Sequence, residues 1–188
     1  MDSTLRRTWA EIDMDALAHN YETLRKRIGE NVKFLGVVKA DAYGHGSVQV
    51  SRLLQESGAD YLAVSSIDEA VELRHNGITM PVLILGHTPK EEVSELIKNN
   101  ITQAVTCRAK ALENSEEAVR YGGTLKIHIK VDTGMSRLGF PVAKESVEEI
   151  LKIGRLVYTD CEGMFTHFSK ADETDKTTTL EQIRAFLW

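Results

Sequence analysis

The sequence predicts a parallel α/β fold, and two features of it support this prediction. A short apolar run, a loop and an amphipathic helical pattern follow one another about six times along the chain. Most of the helical patterns also stop at a glycine, as helices commonly do. Strands that alternate with helices form parallel sheets with right-handed crossovers. This number of repeats fits either a doubly wound sheet or a (β/α)8 barrel, so the periodicity alone leaves both open.

A helix precedes the repeated units. Residues 8–13 alternate weakly in hydrophobicity, and we expect a short strand there. Either Asp13 or Asp15 is placed to cap the following helix, which ends at Gly29. Its apolar residues recur at helical spacing and predict one buried face, made of Leu17, Tyr21, Leu24 and Ile28.

The repeated units define the remaining elements. The predicted strands are residues 34–39, 61–64, 82–85, 101–105, 125–131 and 158–168, the last broken near Gly163. Between and after them, helices are predicted at 47–57, 66–76, 89–98, around 112–119, around 147–151 and at 180–187. Capping boxes are expected at Ser66 with Glu69 and at Thr88 with Glu91. The inward faces of the third, fourth and fifth of these helices are expected to include Val93, Leu96, Ile97, Leu112, Val119, Val147, Ile150 and Leu151.

Composition excludes several functional classes. The 188 residues carry a net charge of -5 with no run of lysine and arginine, so neither nucleic acid nor an anionic membrane is an expected partner. Residues 1–8 contain two arginines but no apolar segment, and we expect neither a signal peptide nor a membrane span. The two cysteines, Cys107 and Cys161, match no metal spacing and are expected to be buried reduced thiols of a cytoplasmic protein.

Two segments carry polar residues where a parallel sheet would place chemistry. Residues 37–46 read VVKADAYGHG and put Lys39 at the end of the first strand of the repeat. Taken alone, a lysine at a strand end is more often a solvated charge. Residues 125–132 alternate strictly, with one apolar face and one polar face that includes Lys130. The alternation fits equally a strand whose polar side faces a barrel interior and an exposed edge strand.

The first of these segments, and the stretch that continues the second from Lys130, closely resemble the alanine racemase family. Residues 37–46 are similar to the segment of that family that attaches its cofactor, and residues 130–139, KVDTGMSRLG, resemble a second characteristic segment. The resemblance extends along essentially the whole chain but covers about the first half of a typical member. It implies a (β/α)8 TIM-barrel fold, of which residues 1–188 would supply about six of the eight units. The C-terminal β domain of the family would be absent from this stretch.

The resemblance also implies roles for individual residues. Lys39 would hold pyridoxal 5'-phosphate as a Schiff base and act as one of two bases, and Tyr43 would contact the cofactor phosphate. Arg137 would engage the substrate carboxylate, and Lys130, often carbamylated in the family, would brace Arg137. A lone histidine such as His167 is more often part of a core. Its match to a family histidine implies that it joins the hydrogen bonds under the cofactor ring.

The implied activity is interconversion of L-alanine and D-alanine, which supplies D-alanine for the cell wall. The expected partners are a small amino-acid substrate and a second copy of the protein in a homodimer, with no metal. The 188 residues by themselves are expected to be inactive. Three alternatives stay open: a serine racemase of the same family, a non-catalytic barrel of the type that maintains pyridoxal phosphate homeostasis, and a folded fragment with no function of its own.

Overall fold

The computed structural model describes residues 8–188, which form one parallel sheet covered by helices. The strands are β1 (Leu35–Val37), β2 (Tyr61–Val64), β3 (Val82–Ile84), β4 (Ile101–Val105), β5 (Leu125–Asp132), β6 (Phe140–Pro141) and β7 (Thr159–Phe165). The helices are α1 (Met14–Ile28), α2 (Lys39–Gly44), α3 (Ser47–Glu56), α4 (Ile67–His75), α5 (Val93–Lys98), α6 (Arg108–Tyr121), α7 (Lys144–Ile153) and α8 (Thr177–Leu187). The expectation about a signal peptide falls mainly on residues 1–7, outside the described part.

The strand order identifies the fold as part of a barrel. β1, β2, β3, β4, β5 and β7 are hydrogen-bonded neighbours in chain order, and every pair is parallel. The short β6 pairs only with the last two residues of β5. A doubly wound sheet reverses its strand order at a switch point, whereas a barrel adds each strand beside the previous one. The barrel prediction is therefore confirmed, and within residues 8–188 the sheet is not closed.

The two faces of the sheet are packed differently. Outward side chains such as Leu62, Val82 and Ile127 belong to a large core between the strands and the helices. A small cluster on the other face, the barrel interior, is built on Ala63, Leu83 and Ala104. Larger side chains fill the outer layer and leave space on the inner face.

The N-terminal segment corrects two expectations. Residues 8–13 form no strand. Asp13 does cap α1, because its carboxylate accepts a hydrogen bond from the Ala16 N–H at 2.9 Å. Of the predicted apolar face only Tyr21 is buried and Leu17 packs partly against the same core, whereas Leu24 and Ile28 are exposed.

Of the two predicted capping boxes, the first forms only its Ser66 cap and the second does not form. Ser66 caps α4 by accepting from the Glu69 N–H, but the Glu69 carboxylate points to Ser65 rather than back to Ser66. The second box does not form. The Thr88 hydroxyl donates to the amide oxygen of Gln103 at 2.6 Å, and α5 begins instead through a 3-10 turn at Lys90–Glu92. Gln103 is buried on β4, and a buried amide requires hydrogen-bond partners.

Two helices present different faces from those predicted. Val119 on α6 is exposed, and small or polar side chains face the core instead, namely Ala111, Asn114, Ser115 and Ala118. Small side chains let two packed elements approach closely, a reason that hydrophobic periodicity does not capture. On α7, Val147 and Leu151 are exposed and line an apolar groove of about 290 Å³ beside α8.

The remaining expectations, about the last strand and the cysteines, are confirmed only in part. The predicted break in the last strand is confirmed, since the register passes from Ile127 opposite Cys161 to His128 opposite Gly163. Cys107 and Cys161 are free but exposed rather than buried, because they lie at the start of α6 and on the edge strand β7. No helix in the described residues is both long and apolar enough to span a bilayer. Residues 8–188 contain no cluster of metal-binding side chains.

Candidate active site

A cavity of about 400 Å³ opens at the carboxyl ends of the strands, on the interior face of the sheet. Apolar side chains from β1, β3, β7 and the loop after β5 form most of its walls: Leu35, Val37, Leu83, Leu85, Met135, Leu138, Met164 and Phe165. Five polar side chains complete the lining: His128, Lys130, Arg137, Thr166 and His167. The cavity therefore combines a mostly apolar wall with a few converging cationic and hydrogen-bonding groups, as binding sites for small molecules do.

Lys39 lies at the first turn after β1, and the backbone there is unusual. Four consecutive residues, from Ala40 to Tyr43, have φ between 50° and 56° and form a left-handed turn. Each such residue costs roughly 1–2 kcal/mol relative to the right-handed form. The turn brings Tyr43 back toward its own start, so that the Lys39 Nζ lies 5.8 Å from the centre of the Tyr43 ring.

The alternation predicted for β5 is confirmed. Ile127 and Ile129 are fully buried beneath the helices, whereas His128 and Lys130 line the cavity. Further from the mouth, Lys126 forms a salt bridge with Glu162 of β7 at 3.1 Å. The interior position of the polar face excludes the alternative of a solvated edge strand.

Lys130 is the buried cation of the site. Its side chain is only 8% exposed, and its ammonium donates to the carbonyl oxygen of Val131 at 2.8 Å. The Phe165 ring lies 5.5 Å from Nζ. Burial lowers the pKa of Lys130, and Arg137 lowers it further, against the opposing effect of Asp132. The uncharged amine is thus more accessible at Lys130 than at an exposed lysine.

The loop that carries Arg137 is shaped by Asp132 at the end of β5. One oxygen of this carboxylate accepts from the N–H groups of Gly134 at 3.0 Å and Ser136 at 2.9 Å. These hydrogen bonds, with that of Ser136 first, lower the pKa of Asp132. Gly139 then returns the chain against β5 with φ of 121°, where an added Cβ would stand 2.8 Å from the Lys130 carbonyl oxygen. The close return fixes both ends of the loop.

His167 follows β7 and faces the cations. The His167 side chain is largely exposed, but its partial desolvation lowers its pKa, and the positive charges of Arg137, Lys130 and Lys39 lower it in the same direction. The pKa of His167 therefore lies below the ordinary histidine value of 6.5, which favours the uncharged imidazole at neutral pH. Lys130, Arg137 and His167 line the cavity together, whereas Lys39 is not part of its lining and lies at the turn after β1. Tyr43 lies beside Lys39 but is exposed and does not line the cavity.

A residue that the sequence analysis missed connects this site to α8. Gln182 is 2% exposed, and its amide oxygen accepts from the N–H and hydroxyl of Ser169. Its amide nitrogen donates to the Thr133 hydroxyl at 3.1 Å and to the His167 carbonyl oxygen at 3.3 Å. A glutamine in a helix resembles any surface residue, so no local signal marks it. Its burial follows from the packing of α8 across two loops.

The strand order and the site together define a class: a βα barrel with a cation-lined, partly apolar cavity at the carboxyl ends of its strands. The family model described as the N-terminal domain of alanine racemase matches residues 12–188. The chain therefore belongs to this family, as the resemblance implied.

Relatives agree along nearly the whole chain. Alanine racemase 1 of Clostridium acetobutylicum is 48% identical over 184 residues, which are 98% of this chain and 47% of that protein. The structure of Clostridium difficile 630 alanine racemase in complex with cycloserine superposes with a TM-score of 0.94 at 45% identity, covering 97% of this chain and 50% of that one. A histidine racemase from Leuconostoc mesenteroides subsp. sake superposes at 0.84 with 28% identity, over 92% of this chain and 46% of that one. The chain thus spans about half the length of the relatives it matches.

Proposed function

We propose that this chain is the N-terminal barrel part of a pyridoxal 5'-phosphate-dependent alanine racemase, an isomerase that interconverts L-alanine and D-alanine. The observation that carries the proposal is the cavity lined by Lys130, Arg137 and His167, with Lys39 at the turn after β1, in a chain of this family. Homodimer formation, a cytoplasmic location and a role of D-alanine in the cell wall are parts of the same proposal.

The residues of the cavity suit this cofactor. A flat aromatic ring fits between apolar walls such as Leu83 and Met164, and the cationic Lys130 and Arg137 in the lining favour the anionic phosphate and phenolic groups. Lys39 would bind the cofactor covalently, and the Tyr43 hydroxyl would donate to its phosphate. His167, uncharged beside the cations, would accept or donate a single hydrogen bond under the ring.

When bound, pyridoxal 5'-phosphate supplies an electron sink that makes the Cα proton of an amino acid acidic. Lys39 would take or return this proton on one face of the substrate, as one of two bases. The guanidinium of Arg137 would hold the substrate carboxylate through its planar pair of N–H donors. The apolar wall around these groups would exclude water from the carbon that is deprotonated.

Lys130 would support Arg137. A cation beside an arginine is unfavourable, whereas addition of carbon dioxide to the neutral Lys130 amine, with loss of a proton, would give an anionic carbamate. The lowered pKa of Lys130 supports this part of the proposal, because only the uncharged amine reacts. Intact-protein mass spectrometry in bicarbonate buffer tests it: a carbon dioxide adduct is expected, and Lys130→Arg should remove it.

Cofactor attachment is the direct test of the proposed function. After incubation with pyridoxal 5'-phosphate and reduction with borohydride, peptide mapping should find the cofactor on Lys39. Lys39→Arg should abolish labelling. Lys126→Arg is the matched control, because Lys126 lies on the same face of β5 as Lys130 but forms a salt bridge with Glu162. Labelling at Lys126 or Lys130 in the wild-type chain would overturn the assignment of Lys39.

Rates of racemisation test which amino acid is the preferred substrate. Because a histidine racemase shares this fold, alanine should be compared with serine and histidine in one assay. We propose alanine as preferred, and a clear preference for serine would favour the serine racemase alternative. Cofactor binding without racemisation of any amino acid, in a protein that also contains the remaining half of the family's length, would favour the homeostasis-type barrel.

Because the chain spans about half of its relatives, we further propose that residues 1–188 are an N-terminal part whose second base lies elsewhere. The 188 residues alone should therefore bind cofactor but show little racemisation, and their unpaired strand edges should promote association. Sedimentation velocity and a coupled D-alanine assay test both statements. A monomer with turnover like that of the family would contradict them.

A further inference from the structure

We infer that Glu69 on α4 is a positioning residue for Lys39, an inference that rests on the proposed function. Glu69 lies on a different βα unit from Lys39, 30 positions further along the chain. Its carboxylate nevertheless accepts a hydrogen bond from the backbone N–H of Ala40 at 2.8 Å. The acceptor thus holds the peptide group that directly follows Lys39.

The other carboxylate oxygen anchors Glu69 itself. It accepts from the backbone N–H of Ser65 at 2.7 Å and from the Ser65 hydroxyl at 2.8 Å. Ser65 directly follows β2, a strand whose last three residues are fully buried. One carboxylate therefore connects the turn after edge strand β1 to the end of a strand that is fixed by the core.

The turn requires such a connection. Ala40 is the first of four consecutive residues in the left-handed region, and none of the four is glycine. This conformation persists only where surrounding contacts determine it. Asp41 supplies a second contact by accepting from the Ser47 N–H at 2.7 Å, which secures the far end of the turn against α3. Glu69 is the contact that secures the near end, next to Lys39.

The charge of Glu69 matters as well as its shape. Although burial alone would raise its pKa, the hydrogen bonds from Ser65 and Ala40 outweigh that effect and lower it below the ordinary value of 4.5. The carboxylate is consequently ionised at neutral pH and accepts on both oxygens. A glutamine has the same shape but one acceptor, so its NH2 group would face either the Ala40 or the Ser65 N–H.

The test compares Glu69→Gln with Glu72→Gln, a control that removes the same charge from an exposed position on the same helix. At saturating pyridoxal 5'-phosphate, the rate of borohydride-trappable attachment to Lys39 should fall about tenfold or more in Glu69→Gln, because small misplacements of a reacting group have large effects on rate. Non-covalent affinity for the cofactor, measured by equilibrium binding, should change less. The control should match the wild type in both measurements.

The outcomes separate this inference from the proposed function. If the wild-type chain itself is not labelled at Lys39, the proposed function fails. If the wild type is labelled and Glu69→Gln reacts at the same rate, the positioning role is wrong. Equal losses of attachment rate, cofactor affinity and thermal stability would indicate a merely structural role and also overturn it.

A second measurement needs no variant and covers the case in which Glu69→Gln does not fold. In the 15N-labelled wild-type chain, the amide resonances of Ala40 and Ser65 should shift with one common apparent pKa below 4.5, as the shared carboxylate is protonated. Independent titration of the two amides, or no titration of Ala40, would show that Glu69 does not connect them and would overturn the inference.

Discussion

The middle strands of the sheet and its two edge strands are held by different interactions. Every residue of β3 and β4 is buried, as are three of the four in β2. By contrast, only Gly36 is buried in β1, and no residue of β7 is. The middle of the sheet is thus fixed by packing on both faces, whereas the edges have little packing of their own.

The candidate active site depends on these weakly packed edges. Lys39 lies two residues beyond the end of β1, and His167 lies two residues beyond the end of β7. Their positions are set by hydrogen bonds from neighbouring units, which compensate for missing burial. Asp60 bonds the backbone that enters β1, and Gln182 bonds the backbone that leaves β7. Core packing therefore supplies most of the stability in this fold, whereas hydrogen bonds between distant segments set the geometry of the site.

The largest expected effect is in the middle of the sheet. Leu62 on β2 is 0% exposed, and Leu62→Ala should lower the free energy of unfolding by about 3 kcal/mol or more, through lost burial and a residual cavity. The matched change at the edge, Leu35→Ala, removes the same atoms from a side chain that is 38% exposed and should cost no more than about 1.5 kcal/mol. Urea denaturation of the two variants measures both values.

Equal losses for the two leucines would contradict the comparison. They would mean that Leu35 is covered in solution, for example by association of the open edges. Repeating the denaturation at several protein concentrations separates these cases, because association makes the apparent stability depend on concentration.

The same division decides how much of the fold could be predicted. The bounds of β2 and β4 are predicted to the residue, because an apolar residue begins and ends each of these short, mostly buried segments between turns. Predictions fail where packing is local or partial. Residues 8–13 alternate without forming a strand, and Leu151 belongs to an apolar stripe that is exposed. Periodicity shows which side of an element is apolar but not whether anything covers it.

The site could be predicted only in part, for a related reason. Lys130 was found because strict alternation fixes which face of β5 is polar, and Lys39 because its surrounding motif is distinctive. The residues that hold the site in place gave no signal. Glu69 was interpreted as half of a capping box, and Gln182 as one position in a helical pattern. A hydrogen bond between distant segments leaves no trace in local spacing, so such contacts emerge only from the assembled fold.

A smaller effect is expected where a buried hydrogen-bond network replaces packing. Gln182→Glu keeps the shape of the side chain but removes the two donors to Thr133 and His167. It also places a carboxylate near the His167 carbonyl oxygen. Leaving buried partners unsatisfied costs about 1–3 kcal/mol, and we expect a loss in that range.

Glu181→Gln, the reverse exchange at an exposed neighbouring position, is the control and should leave the free energy of unfolding nearly unchanged. Backbone amide exchange should accelerate around Thr133 and His167 in the Gln182→Glu variant while it stays slow in β3 and β4. Uniform acceleration across the sheet would show that the edges are not a separate, weaker region.

The smallest effect is expected at the entry to β1 and should appear only in acid. Asp60 accepts from the Phe34 N–H at 2.7 Å and pairs with Arg25, and these contacts, with Phe34 first, lower its pKa below 3.8. A carboxyl group with a depressed folded-state pKa stabilises the fold above its unfolded pKa, and this contribution disappears as the pH falls through the folded value. Because the pair is partly exposed and screened by water, its contribution near neutral pH is below about 1 kcal/mol.

Asp60→Asn keeps an acceptor for the Phe34 N–H but cannot titrate. The wild type should therefore lose stability more steeply than Asp60→Asn below about pH 4. Thermal melts between pH 7 and pH 3 measure this difference, with the exposed Asp68→Asn as control. Parallel curves for wild type and Asp60→Asn would mean that β1 is held at its entry by something other than this carboxylate.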